Sequence, residues 1–118
     1  MTARVLICGR LLLGMVLLAD PDAVLRALAQ RSPAPRERLV ARVLGLRHLA
    51  EGVVVARHCS PARLLGGAAV DAVHCLSMAA LAAESPRHRR LATASALTAA
   101  GTSVGGVLAA QSTYRGGA

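Results

Sequence analysis

The chain is 118 residues long and 54% hydrophobic, carries a net charge of +8, and contains no Phe, no Trp and one Tyr. One domain is the most that length allows, and a water-soluble core of this size would draw much of its buried area from aromatic rings. Leu, Val and Ala must do the packing here, as they do in helices that face lipid and one another. The mean hydropathy of +0.50 agrees, while the missing Trp and Tyr belts run against it. All fourteen basic residues are Arg. They sit mostly at the ends of apolar runs, with no interleaved aromatics and no binding motif, so the charge reads as flanking charge of membrane segments and excludes nucleic acid as a partner.

The first predicted helix spans about 3–19, with the run "VLICGRLLLGMVLLA" at 5–19. Arg10 interrupts the apolar stretch and no A-x-A site precedes Asp20, so it reads as a retained span and not a cleaved signal peptide. "DPD" at 20–22 opens a short helix over 21–30. Its Val24, Leu25 and Leu28, set against Asp22, Arg26 and Arg31, suit a membrane surface. "RSPAPR" at 31–36 precedes a helix over 36–57, "CSPA" at 59–62 a helix over 61–83, and "ESPRHRR" at 84–90 a helix over 86–110. Asp20, Ser60 and Ser85 each stand directly before a proline. That is an N-cap followed by a residue whose missing N–H costs nothing at the first helical position. "STYRGGA" at 112–118 is expected to fray. No segment alternates with period two, so no sheet is expected.

The last three long helices reach the ~20 residues a bilayer requires, and the first is just long enough if upright. The expected fold is therefore all-α: a four-helix transmembrane bundle with one short interfacial helix, forming a single domain over 1–118, multi-pass in the plasma membrane. Arg26, Arg31, Arg36, Arg38, Arg87, Arg89 and Arg90 flank one side, and Arg4, Arg57, Arg63 and Arg115 the other. Seven against four favours both termini outside the cytoplasm.

Charged groups lie inside these spans. At about 100° per residue, Glu37, Gly45, Arg47, His48, Glu51, Gly52 and His58 fall within about 160° of arc, and Asp71, His74, Cys75 and Met78 share a face with Gly67. A turn near 59–60 puts His48 opposite Asp71 if the two helices pack antiparallel, with Leu64 and Leu81 facing lipid. Arg10 and Arg47 would then balance Glu51 and Asp71, as hydrocarbon demands. On the last helix Ala94, Thr98, Gly101, Thr102, Gly105 and Ala109 form a small-xxx-small stripe, a surface for close helix packing or for a dimer.

The cluster Arg10, Arg47, His48, Glu51, Asp71 and His74 admits three readings: a structural salt-bridge network, a proton or ligand relay, or a metal site. "HLAE" and "DAVH" each place a carboxylate and an imidazole three apart, so His48, Glu51, Asp71 and His74 could hold Zn, Mn or Fe. Two nearby guanidinium groups would repel a divalent ion, and the network is favoured. No C-x-x-C-H supports haem, and no cofactor is expected. Ser77 near His74 lacks an oxyanion hole and carries no triad. His58 and His88 sit among arginines and are expected to be solvated, and Cys8, Cys59 and Cys75 lack paired spacing.

The core "RVLGLRHLAEG…ARLLGGAAVDAVHCLSMAALAA…RHRRLA" resembles small actinobacterial membrane proteins of about this length. In those, a G-x-R-H-L segment precedes a D-x-x-H-x-x-S-M segment and an Arg-rich turn. Gly45, Arg47, His48 and Leu49, then Asp71, His74, Ser77 and Met78, match that pattern, within about residues 40–95. The resemblance implies a four-span fold with a deliberate polar cluster and supplies no substrate. Three functions are compatible with the sequence. The favoured one is a non-enzymatic subunit or scaffold of a membrane assembly, homo-oligomeric or part of a larger complex. The others are a small-ligand binding or proton-coupled transport protein and a metal-dependent membrane enzyme.

Overall fold

The computed structural model describes residues 2–116, which form five α-helices and no strand: α1 (Ala3–Ala19), α2 (Pro21–Ala29), α3 (Pro35–Arg57), α4 (Pro61–Glu84) and α5 (Arg89–Gly116). Proline opens α2, α3 and α4. The Ala23 N–H donates to Asp20 Oδ1 at 3.0 Å, and the Arg63 N–H to Ser60 Oγ at 3.4 Å, so both side chains cap as proline-preceding residues do. α2 stops at Gln30, which takes a left-handed conformation with φ 56°.

The third such pair behaves differently. Ser85–Pro86 starts no helix: the Ser85 backbone closes α4, its hydroxyl bonds His88 Nδ1 at 2.9 Å, and α5 begins three residues later than Pro86, at Arg89. α5 also continues through 112–116, where a frayed tail was expected, and residues 117–118 of that tail lie outside the described residues. Two helices, α4 and α5, are long and apolar enough to cross a membrane. α1 is 17 residues long, and α3 carries Arg36, Glu37, Arg38, Arg42, Arg47, Glu51 and Arg57, too many charges to qualify by composition.

The helices pair as two antiparallel hairpins, α1 with α3 and α4 with α5, and α1 also meets α5; α3 and α4 scarcely touch. This corrects the expectation of direct α3–α4 packing. The reason lies in where backbones can approach. A Cβ on Gly14 would sit 2.7 Å from the Gly45 carbonyl oxygen and 2.7 Å from Leu49 Cγ, and one on Gly52 would sit 2.9 Å from Leu11 Cδ2, so these glycines seat α1 on α3. On the other hairpin a Cβ at Gly106 would meet that of Ala68 at 3.0 Å, and Ser103 Oγ donates to the Ala68 carbonyl at 2.8 Å. The packing stripe of α5 runs through Ala92, Ala99, Gly105, Gly106, Ala109 and Ala110. Gly101 is not part of it: it is exposed, with nothing near the position of its absent Cβ.

Burial is inverted relative to a soluble bundle. α3 buries Ala41, Gly45, His48, Gly52 and Val55 and exposes Leu39, Val40, Val43, Leu46, Val53 and Val54. α4 buries Leu64, Ala68 and Asp71 while Leu65, Val70, Val73, Leu76 and Leu81 face outward, so Leu64 is a core residue and not a lipid-facing one. Small residues inside and branched aliphatics outside is the arrangement that lets backbones close up when the surroundings are as apolar as Leu. α2 covers one end of the bundle, with Leu25 packed on Leu17 and Ala41.

The crowding at Gly14 makes a direct prediction. Gly14→Ala is expected to lower the stability of the purified protein by about 1–3 kcal/mol through forced separation of α1 and α3. Gly101→Ala, placed in open space, is expected to be neutral or stabilising by up to about 1 kcal/mol. Denaturant unfolding followed by far-UV circular dichroism reads both, and equal losses would contradict the packing described.

Candidate functional site

Four side chains from three helices close a ring across the seam between the hairpins. Arg10 of α1 donates through Nη1 to Glu51 Oε2 and through Nη2 to Asp71 Oδ2, the latter at 2.5 Å. Arg47 of α3 donates through Nε to Glu51 Oε1 at 2.9 Å and through Nη2 to Asp71 Oδ1 at 2.8 Å. Each carboxylate therefore bridges both guanidinium groups, every carboxylate oxygen is engaged, and the formal charge of the ring is zero. Charge-assisted bonds of this kind are the stronger class, and their mutual neutralisation is what permits burial. Arg10 is 3% exposed and Asp71 1%, whereas Arg47 and Glu51 keep 25% and 23% of their surface. Apart from alanines, Asp71 is the only wholly buried side chain among the described residues. Gly52 and Gly14, by bringing α1 onto α3, carry Arg10 into reach of Glu51, and its length then spans to α4.

The two histidines join the site unequally. His48 is buried beside the ring, within Coulombic reach of all four members, and its Nδ1 has no hydrogen-bond partner among the described residues. His74 turns instead to α5, where its Nε2 shares a hydrogen bond with Ser95 Oγ at 2.9 Å. Ser95 was not anticipated from the sequence. The signal was available, since a turn near 85–86 places residue 74 level with about 97 on an antiparallel partner. The four metal candidates do not converge: both carboxylates are held by arginine, His74 by serine, and no three His, Cys, Asp or Glu among the described residues could hold an ion together.

Because α3 and α4 stand apart, the seam opens into a cleft on each side of the ring. One, of about 350 Å³, lies toward the α3–α4 turn and is walled by Leu6, Val54, Val55, Leu64 and Val70, with Arg10 and Glu51 at its inner end and Arg63 also lining it. The other, of about 460 Å³, lies toward α2 and includes Leu13, Leu44, Met78 and Leu91, with His74 and Ser95 among its lining and Glu37 and His88 at the far end.

That far end is latched. Arg31 donates two hydrogen bonds to Glu37, at 3.0 and 2.6 Å, and one to the Arg87 carbonyl at 3.3 Å, joining the α2–α3 link to the α4–α5 link. His88 Nε2 lies 3.6 Å from Glu37 Oε1, so His88 is a member of this group and not simply solvated; His58 is exposed. The Ala34 N–H donates to Glu37 Oε2 at 2.8 Å, half of a capping box, since Ala34 offers no oxygen in return.

The chain matches no family model, and neither a curated protein nor a solved structure is similar to it. The ring and its clefts therefore rest on geometry alone.

Glu37 lies in the first turn of α3, ahead of the apolar stretch that starts at Leu39. The Arg31 hydrogen bonds, helped by the Ala34 N–H and by the nearby charges and opposed by burial, hold its carboxyl at about 2 against an ordinary 4.5. A depressed carboxyl contributes stability above its ordinary range and loses it as the pH falls toward the folded value. Thermal stability is thus expected to fall more steeply for the native chain than for Glu37→Gln between pH 4.5 and about 2, with the native chain the more stable at pH 7. Parallel curves would show that the latch contributes nothing.

Proposed function

We propose that the chain is a non-enzymatic integral membrane protein in which α1, α3, α4 and α5 all cross the bilayer, α2 lies at its surface, and a small ligand is taken up against the ionic ring. The observation that carries the membrane reading is the burial pattern of α3, α4 and α5: most Leu and Val outside, and mainly Gly and Ala inside, with Arg10 and Asp71 buried at the ring. In water so many exposed Leu and Val side chains would be an aggregation liability. α3 fails the compositional criterion because of charges that do not meet lipid. Arg36, Glu37, Arg38 and Arg57 lie at its ends, Arg47 and Glu51 turn into the ring, and exposed Arg42 is close enough to one end to snorkel.

Between a binding protein and a scaffold subunit, two observations favour binding. The small residues Gly105 and Ala109, which a partner subunit would have covered, are already buried within the chain. The seam is left open on both sides of the ring, where a purely structural core would have closed. Intramembrane ionisable groups at the end of a cavity are the usual mark of a ligand or ion path.

The native cysteines test the topology. Cys59, exposed in the α3–α4 turn, is expected to react with a membrane-impermeant maleimide in intact membranes, from one side only. Cys8, also exposed but inside α1, is expected to stay unlabelled until the membrane is dissolved. Labelling of Cys8 at the same rate as Cys59 in intact membranes would overturn the four-span reading.

A further inference from the structure

The two carboxylates of the ring are not equivalent. Asp71 is shut off and lines neither cleft, whereas Glu51 is 23% exposed and, with Arg10, forms the inner end of the smaller cleft. We propose that Glu51 is the exchangeable member: it takes up one proton while the cleft takes up one small aliphatic carboxylate, whose headgroup replaces Glu51 on the guanidinium groups of Arg10 and Arg47. This rests on the ligand-binding reading above and names its ligand class.

The charge balance selects that class. Protonation alone would leave the ring with two cations and one anion, an uncompensated charge in a buried site. An incoming monoanion restores neutrality, so proton and anion bind together and the site gains no net charge. The only covalent change is one O–H bond formed on Glu51 from a solvent proton; the ligand enters already ionised and leaves the same way. A carboxylate reproduces the planar, two-oxygen geometry that both arginines already bind. Leu6, Val54, Val55, Leu64 and Val70 offer its tail an apolar wall, and a cleft of about 350 Å³ is at the small end of ligand pockets. Arg63, on the same wall, would draw the anion in.

The charged and titratable groups around Glu51 are Arg10 from α1, Arg47 and His48 from α3, and Asp71 and Arg63 from α4; among the described residues α5 contributes none to this cleft or to the ring. His48 is the other titratable side chain against the ring, and a proton there would attract an anion while repelling Arg10 and Arg47, so the two sites must be separated by mutation.

The experiment uses the full chain in detergent with hexanoate as the probe and isothermal titration in two buffers of different ionisation enthalpy. Expected is uptake of one proton per hexanoate and an affinity that falls about tenfold per pH unit on the alkaline side of the transition. His48→Gln is expected to keep that coupling. Glu51→Gln is expected to bind hexanoate without proton uptake. Gly66→Leu, which fills the cleft where no atom lies within 4 Å of the glycine's absent Cβ, is expected to bind at least tenfold more weakly at every pH. Uncoupled hexanoate binding by the native chain, or unchanged binding by Gly66→Leu, would overturn the proposal. Equal uptake of hexanol without protons would overturn it too, while leaving the cleft as a ligand site; uptake of neither probe would remove the ligand-binding reading as well.

Discussion

Two arginines and two carboxylates, each acid shared by both bases, are the constraint around which the rest of the chain is arranged. A buried charge left without a partner is costly, and Arg10 is almost wholly buried. It can stay there only if acids from other helices reach it. Asp71 must therefore come from α4 and Glu51 from α3, which ties the α1–α3 hairpin to the α4–α5 hairpin at one level. The ring is thus more than a stabilising contact: it fixes which rotation of α1, α3 and α4 is permitted. Few other contacts join α3 to α4.

Close packing within each hairpin and open space between them follow from the same distribution of residue sizes. Gly14, Gly45 and Gly52 let α1 and α3 touch, and Ala68 and Gly106 do so for α4 and α5. Across the seam the side chains are long, ionised and paired end to end, and guanidinium–carboxylate bridges hold helices farther apart than glycines do. The clefts on either side are the geometric consequence. At one end the Arg31–Glu37–His88 group spans the gap, so the seam is held at its middle and at that end.

Much of this architecture can be read from local chemistry. Asp20–Pro21 and Ser60–Pro61 mark helix starts because a cap and a proline act over four residues of chain. The charge inventory inside the apolar runs is likewise local, so the sequence alone groups Arg10, Arg47, Glu51 and Asp71. Adjacency of helices is not local. The short α3–α4 turn invites direct pairing, but the glycines decide, and they lie on α1 and α3. The rotation of α5 is not legible for a related reason: Gly101 and Gly105 are four apart and look equivalent, yet Gly105 is buried beside Gly106, which faces Ala68, and Gly101 faces outward. Ser85 misled because it stands between two helices and serves the end of the first. The His74–Ser95 bond and the Arg31–Glu37 latch depend on helix pairing and on a loop contact, neither of which leaves a periodic signature.

The most direct measurement of the central claim is a double-mutant cycle on Arg10 and Asp71 in the solubilised protein. Removing either partner alone strands a charge and is expected to cost about 3–5 kcal/mol. Arg10→Met with Asp71→Asn leaves Arg47 and Glu51 as a neutral pair, so the combined variant should lose less than the two separate losses added, with a coupling of about 1–3 kcal/mol. Strictly additive losses would mean that the two side chains do not neutralise each other and that something else holds the hairpins together.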